Sequence, residues 1–263
     1  MDVDGELSIV LVYPDLLGTY GDRGNALALA HRARARQIPT RIVEVQAGGH
    51  LPVLADIYLL GGGEDSAETL ALRYLERDGG LPRALDDGAT CLAVCAGFQM
   101  LSRQFSDTTG APVTGLGLLD VECARLPGPR AVGEVVAQAP TETGFGTLTG
   151  YENHQGGATL GPTARPLGRL VTGTGNGDGH TEGAMQGNVI ATYLHGPVLV
   201  RNPALADHLL TQVVGDLPPF VDSAVERLRA ERLEDATRDG HGLAHAAART
   251  WAAARRRGHS RAG

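Results

Sequence analysis

The sequence of 263 residues contains no lysine, and all 23 of its basic residues are arginines. This absence excludes a Schiff-base lysine and a Walker-type phosphate-binding loop, because both need an ammonium group at a fixed position. We therefore expect any ATP chemistry connected with this protein to belong to another chain.

Cysteine is also scarce, with Cys91, Cys95 and Cys123 as the complete set. An odd, sparse set argues against a disulfide framework, and no second pair is present to complete a zinc site. The sequence predicts no metal site.

Aromatic residues make up only 4% of the chain, and only its C-terminal end carries a net positive charge. Residues 1–219 carry 14 arginines against 24 acidic residues, whereas residues 220–263 carry 9 against 6. An acidic body that is poor in aromatics lacks the surface that nucleic-acid binders use. The arginine-rich tail favours a solvated helix over a contact with an acidic partner or a membrane surface.

No run of eighteen apolar residues is present, which argues against a membrane span. The amino terminus carries aspartates where a secretory signal would carry basic residues. The sequence therefore predicts a cytoplasmic location.

Short apolar runs alternate with helical patterns over the first half of the chain, which predicts an α/β fold with a doubly wound parallel sheet. Beyond residue 115, Gly- and Pro-separated segments predict a few antiparallel strands. Predicted strands are 8–13, 41–45, 56–60, 90–94, 118–124, 132–137, 147–149 and 189–194, and predicted helices are 22–36, 66–77, 81–86 and 97–104. Asp22 is the candidate N-cap of the first helix. Residues 1–202 form the predicted main domain, and residues 203–263 form a helical extension whose first helix has Asn202 as its cap and Pro203 in its first turn.

Cys95 lies between a predicted strand and a predicted helix, with the small residues Ala96 and Gly97 after it. A sharp strand–nucleophile–helix turn lifts a side chain out of the sheet and directs backbone N–H groups at the same point. The helix N-terminus and a nearby imidazolium are expected to lower the pKa of such a thiol. On its own, the pattern fits a small buried core cysteine equally well.

His195 ends the predicted strand 189–194 and is followed by Gly196-Pro197, which forces a turn. If this strand and the one before Cys95 are parallel in one sheet, both side chains emerge at the same carboxyl edge. The sequence then supplies the base that a cysteine nucleophile needs.

Two segments identify a family. Val94–Gln99 resembles the Cys-x-Gly-x-Gln turn of triad-type glutamine amidotransferases, and Tyr193–Pro197 resembles the histidine motif of their cobyric-acid-synthase branch. Within that branch, three further segments resemble the GatD family of glutaminase subunits: YGDRGN at 20–25, GGGED at 61–65 and GYENH at 150–154. The resemblance covers roughly residues 7–210.

The resemblance implies a role for each matching residue. Cys95 would be the nucleophile and His195 the general base, while the backbone N–H groups of Ala96, Gly62 and Gly63 would form the oxyanion hole. The resemblance also implies two side chains for substrate binding. Arg130 would bind the α-carboxylate of glutamine, and Gln99 would orient the substrate or serve a structural role.

Two positions depart from the wider family: Ala96 replaces a frequent glycine, and the acid that follows the family's histidine by two residues is missing. Pro197 stands there, so the pair works either as a dyad or with an acid from elsewhere. Glu152 is the candidate orienting acid, with a solvent-facing glutamate as the alternative.

The family function implied is hydrolysis of L-glutamine, with ammonia passed to a MurT-like Mur ligase that amidates the D-glutamate of lipid II. ATP and Mg²⁺ would bind to that partner, and no cofactor is implied for this chain. Alternatives are an amidotransferase that acts on a corrinoid, a stand-alone cysteine hydrolase, and a catalytically silent binding subunit.

Overall fold

The computed structural model describes residues 5–19 and 21–236, and a six-stranded sheet forms its centre. The strand order is β13-β14-β4-β3-β1-β2, and only β13 is antiparallel to its neighbour. The strands of this sheet are β1 (Leu7–Val12), β2 (Thr40–Val45), β3 (Ile57–Leu60), β4 (Thr90–Val94), β13 (Ala184–Gln186) and β14 (Val189–Thr192). Strands β1, β3, β4 and β14 are buried along their whole length, as the continuous apolar runs predict.

Six helices between residues 23 and 214 pack as two groups. They are α1 (Arg23–Arg34), α2 (Asp65–Asp78), α3 (Gly80–Asp86), α4 (Ala96–Leu101), α5 (Val198–Arg201) and α6 (Pro203–Val214). Helix α1 contacts α5 and α6, whereas α2 contacts α3 and α4. The chain crosses the sheet in one direction from β1 to β2 and in the other from β3 to β4, so right-handed crossovers put α1 and α2 on opposite faces. The predicted doubly wound sheet is confirmed.

Two four-stranded sheets are appended to this core, with orders β10-β7-β5-β6 and β12-β11-β8-β9. All pairs in them are antiparallel except β5 with β7. Their strands are β5 (Gln104–Ser106), β6 (Pro112–Thr114), β7 (Val121–Arg125), β8 (Ala131–Gln138), β9 (Thr147–His154), β10 (Gly156–Leu160), β11 (Gly168–Thr172) and β12 (Thr181–Glu182), and a 3-10 turn spans Thr141–Thr143.

Three local expectations were wrong. Strand β9 extends to His154, well past the predicted end at residue 149, because Glu152 and His154 are polar yet buried and hide the apolar alternation. Helix α4 ends at Leu101, since Ser102 is extended and β5 begins two residues later. Asp22 does not cap α1 with its side chain, and its carboxylate accepts a hydrogen bond from the Gly62 N–H instead.

The C-terminal part of the described chain packs on the core. Leu205, Leu209 and Leu210 of α6 are fully buried in the same hydrophobic cluster as the sheet. Residues 223–236 are helical, and from this helix Arg229 donates to the carbonyl oxygens of Arg201 and Thr147. The remainder of the predicted extension lies outside the described residues. Across the described ranges, no helix is long and apolar enough to span a membrane.

Candidate active site

Cys95 occupies a strained turn between β4 and α4, with φ 52° and ψ −104°. A non-glycine residue rarely adopts this backbone conformation, which persists only where the surrounding structure enforces it. The N–H of Gly97 donates to the carbonyl oxygen of Gly61, and a Cβ on Gly97 would lie 2.8 Å from the carbonyl oxygen of Leu60. Only a glycine allows α4 to approach β3 so closely, and this approach fixes the turn.

His195 follows β14, the strand paired in parallel with β4. Thr192 is in register with Val94, and the Cys95 N–H donates to the carbonyl oxygen of Thr192 at 3.0 Å. Both residues therefore emerge at the carboxyl edge of adjacent parallel strands, as the sequence predicts.

The imidazole of His195 is held by main-chain atoms. Its Nδ1 lies 3.0 Å from the carbonyl oxygen of Tyr151, with which His195 also forms an antiparallel bridge. Because a carbonyl oxygen only accepts, Nδ1 carries the proton and the buried Nε2 is the basic nitrogen. Burial lowers the pKa of His195 to about 4, so the ring is neutral at pH 7.

The thiol of Cys95 is also neutral at rest, contrary to the expectation of a lowered pKa. Burial raises the pKa of Cys95 well above its ordinary value, and the carboxylates of Glu68 and Asp22 raise it further. Arg130 and the Ala96 N–H lower the pKa of Cys95, but their effect is smaller than that of burial. The resting site therefore holds a neutral thiol and a neutral imidazole.

Glu152 does not serve the orienting role predicted for it. Its carboxylate accepts hydrogen bonds from the N–H groups of Thr174 and Gly175 and lies 3.5 Å from Nε2 of His154. Glu152 is buried, so the solvent-facing alternative is wrong as well. His195 is oriented instead by the carbonyl oxygen of Tyr151, the residue before Glu152.

One residue of the predicted oxyanion hole makes a different hydrogen bond. The Gly62 N–H donates to Oδ2 of Asp22 at 2.8 Å, so it is not available to an oxyanion in this conformation. Burial raises the pKa of Asp22 to about 6, and the Gly62 hydrogen bond acts against this rise. Ala96, whose N–H lies at the sulfur of Cys95, and Gly63, which lines the same cavity as Cys95, remain as candidate donors.

A cavity of about 120 Å³ opens on Cys95. Its wall combines both signs of charge with amide groups: Gly63, Asp65, Glu68, Cys95, Gln99, Ser106, Asp107, Arg125, Arg130, His154, Gln155 and Gly156. The structure thus brings Gln99 and Arg130 together with Cys95. Arg130 is exposed and donates to both the side-chain and main-chain oxygens of Asn153.

His195 lines a second cavity of about 410 Å³, which it shares with Glu134, Tyr151 and Arg201. His195 therefore lines a different cavity from the one that opens on the Cys95 thiol. In the described ranges no group of three or more His, Cys, Asp or Glu side chains could hold a metal ion.

The sequence did not identify Glu68, His154 and Asp22 as residues of the candidate site. Glu68 and His154 are buried polar residues in the wall of the thiol cavity. His154 stacks on Tyr193 with ring centroids 4.1 Å apart. For Glu68, the available signal was its position in the first turn of the helix that follows the Gly61–Gly63 loop, since that turn faces the carboxyl edge of the sheet.

Comparison with known proteins agrees with this geometry. Residues 8–203 match the family model of the CobB/CobQ-like glutamine amidotransferase domain, so the chain belongs to this family of glutamine amidotransferases. A crystal structure titled as a glutamine amidotransferase has the same fold, with a TM-score of 0.53 and 21% identity over 78% of this chain and 98% of that chain.

Within the family, the chain is similar to subunit GatD of the glutamine-hydrolysing lipid II isoglutaminyl synthase of Staphylococcus aureus. The two are 36% identical over 208 residues, which cover 78% of this chain and 83% of the relative. A cobyric acid synthase of Methylobacterium nodulans is 37% identical over 205 residues, but the match covers only 40% of that protein.

Proposed function

We propose that this chain is the glutaminase subunit of a two-chain lipid II isoglutaminyl synthase and that it hydrolyses L-glutamine to L-glutamate and ammonia. The observation that carries the proposal is the emergence of Cys95 and His195 from the carboxyl ends of the paired parallel strands β4 and β14. The similarity to GatD over most of both chains supports the same function. Residues 1–202 would form the glutaminase domain, and residues 203–263 a helical extension of it.

In the first step, Nε2 of His195 accepts the proton of the Cys95 thiol while the sulfur attacks the side-chain amide carbon of glutamine. The neutral resting pair suits this order, because the proton leaves the sulfur only when a carbonyl carbon is present to be attacked. His195 then gives the proton to the departing nitrogen, and ammonia leaves a γ-glutamyl thioester on Cys95.

In the second step, water attacks the thioester carbonyl carbon and His195 accepts a proton from it. The C–S bond breaks, glutamate leaves, and the proton returns to the sulfur. The N–H groups of Ala96 and Gly63 would stabilise the oxyanion of both tetrahedral intermediates, each worth about 3 kcal/mol.

Two side chains in the wall of the cavity would bind the rest of the substrate. The guanidinium of Arg130 is positioned by Asn153 and would bind the α-carboxylate of glutamine, a contact that suits the planar donors of arginine. Gln99 lies one helical turn after Cys95 and would orient the glutamine side chain.

The partner in this proposal is a MurT-like Mur ligase, which would bind ATP, Mg²⁺ and the lipid II stem peptide. Ammonia from Cys95 would replace the activated oxygen of the D-glutamate carboxylate to give D-isoglutamine. The lack of lysine fits this division, because a phosphate-binding loop is left to the other chain. We place this reaction in the cytoplasm.

The test is ammonia release from L-glutamine by the full chain, alone and with the ligase chain that co-purifies with it. We expect glutamine-dependent ammonia release, and amidation of lipid II when the partner and ATP are present. The Cys95→Ala variant should be inactive in both assays but support amidation from added ammonium salt. Ammonia release that persists in Cys95→Ala, or no release with either preparation, would overturn the proposal.

The same assays distinguish the alternatives. A corrinoid amidotransferase would transfer the ammonia to a corrinoid carboxylate and leave lipid II unchanged. A stand-alone cysteine hydrolase would cleave esters or peptides without using glutamine, and a silent binding subunit would release no ammonia at all.

A further inference from the structure

Glu68 is a buried carboxylic acid in the wall of the cavity that opens on Cys95. It lies in the first turn of α2, is 4% exposed, and lines the same cavity as Gly63, Cys95 and Gln99. Its Oε1 atom is completely buried and has no hydrogen-bond partner among the described residues. A buried carboxyl oxygen without a donor is costly, which indicates that the donor comes from a bound molecule.

The other two acidic residues of the cavity do not offer such an oxygen. Asp107 accepts hydrogen bonds from the N–H and hydroxyl of Thr109 and from the N–H of Ala111. Its carboxylate therefore stabilises the turn that contains it. Asp65 is exposed to solvent at the start of α2. Glu68 is therefore the acid of this wall that can bind a donor away from water.

The cavity also carries a positive group near the thiol. Arg130 acts electrostatically on both Cys95 and His195, and Glu68 acts on Cys95 with the opposite sign. A guanidinium and a carboxyl group placed around one reactive sulfur are complementary to a zwitterion. The ligand class that this pairing fits is an α-amino acid with a reactive side chain.

We propose that Glu68 binds the α-ammonium group of L-glutamine and thereby makes the site specific for amides that carry a free α-amino group. This inference rests on the proposed glutaminase function and adds a specificity-determining residue to it. An ammonium group donates to the buried oxygen and favours the ionised carboxylate, whereas burial raises the pKa of Glu68. Amides that lack the ammonium group would leave Glu68 buried and unpaired.

The experiment compares L-glutamine with glutaramic acid, which keeps the amide and the carboxylate but lacks the α-amino group. Binding is measured by calorimetry on the full chain in a Cys95→Ala background, with Glu68 intact and with Glu68→Gln. With Glu68 intact, we expect glutamine to bind at least 100-fold more tightly than glutaramic acid. In Glu68→Gln, glutamine affinity should fall at least 30-fold while glutaramic acid affinity changes less than threefold.

Glu76→Gln, on the exposed face of the same helix, is the matched control and should change neither affinity. If Glu68→Gln fails to fold, Glu68→Asp replaces it and should show a smaller loss that is still selective for glutamine. Equal loss for both ligands would indicate a structural role, and unchanged glutamine affinity or no glutamine binding would also overturn the inference. Ammonia release by the wild-type chain separately tests the proposed function, so the two can fail independently.

Discussion

Nδ1 of His195 and the carbonyl oxygen of Tyr151 lie 3.0 Å apart, and the His195 main-chain N–H donates to the same oxygen at 2.8 Å. Tyr151 of strand β9 thus forms hydrogen bonds with both the backbone and the imidazole ring of His195. In an acid-containing triad, a carboxylate fixes the tautomer and also stabilises the imidazolium. A carbonyl oxygen fixes the tautomer but brings no full charge, and it leaves the imidazole a weaker base.

The pH dependence of catalysis follows from this arrangement. Burial lowers the pKa of His195 to about 4, below the ordinary value of 6.5, so the base that we propose is already deprotonated throughout pH 5 to 8. We expect kcat/KM for glutamine to show no acidic limb near pH 6.5 and to fall only as the pH approaches 4.

Steady-state ammonia release measured from pH 4 to 8 checks this expectation. His195→Ala should lower kcat by 10² to 10⁴-fold, the usual contribution of a general acid–base group. His180→Ala, on an exposed loop, is the matched control and should leave kcat unchanged. A limb at pH 6.5 that persists in the His180→Ala variant would show that His195 titrates normally.

Substitution of Cys95 should change the stability of the fold independently of catalytic activity. Its φ of 52° costs about 1 to 3 kcal/mol for a residue with a Cβ, and Cys95→Gly removes that strain while adding backbone freedom to the unfolded chain. We expect Cys95→Gly to be more stable than Cys95→Ala by about 1 kcal/mol, or about 3 °C in Tm. Both variants should be inactive.

Thermal unfolding followed by circular dichroism compares the two variants directly. Both variants lack the thiol, and alanine keeps the Cβ and the strained turn. Cys95→Ala is therefore the control for Cys95→Gly. Equal melting temperatures would mean that the turn carries no strain.

The parallel sheet and the two strand-end residues were predictable because each depends on local sequence. Strands such as β4 and β14 are continuous apolar runs, and Cys95 and His195 come directly after them, at an edge that parallel strands share. Small residues after Cys95 and Gly196-Pro197 after His195 mark both turns within a few positions.

The partners of the polar residues were not predictable, because they depend on contacts between distant segments. Asp22 has the sequence position of a helix cap, yet its carboxylate binds an N–H forty residues away at Gly62. Glu152 could be matched with a histidine, but sequence alone does not decide between His154 and His195. Glu68 is a charged residue whose burial appears only once α2 packs against α4.

Arg130 should affect substrate binding more than turnover. Asn153 positions its guanidinium at the edge of the thiol cavity, where it would hold the α-carboxylate equally in the ground state and in the transition state. We expect Arg130→Ala to raise KM for glutamine about 10- to 100-fold while kcat changes less than threefold.

Initial rates over a wide range of glutamine concentrations separate the two constants. Arg130→Lys should recover only part of the loss, since an ammonium group cannot make the paired contact. Arg103→Ala is the control, because this arginine binds Asp120 and Glu122 at the surface. An unchanged KM in Arg130→Ala would place the arginine outside the substrate site.

Glu182 should give the folded chain a pH-dependent stability. Its Oε1 accepts hydrogen bonds from the Thr192 hydroxyl and the Tyr193 N–H, just before His195, and burial raises its pKa to about 7. The folded chain therefore keeps this proton between about pH 4.5 and 7, where the unfolded chain has lost it. Since the folded state binds more protons, this residue lowers the free energy of unfolding as the pH rises through that window.

Glu182→Gln keeps an acceptor oxygen but removes the ionisation. Relative to the wild type, its free energy of unfolding should improve between pH 5 and pH 8, by at most about 3 kcal/mol at about 1.4 kcal/mol per pKa unit. Urea unfolding at both pH values measures the difference, with the exposed Glu142→Gln as a control that should show no such change. A difference between wild type and Glu182→Gln that is the same at both pH values would mean that Glu182 ionises at its ordinary pKa, and that the hydrogen bonds before His195 are those of a charged carboxylate.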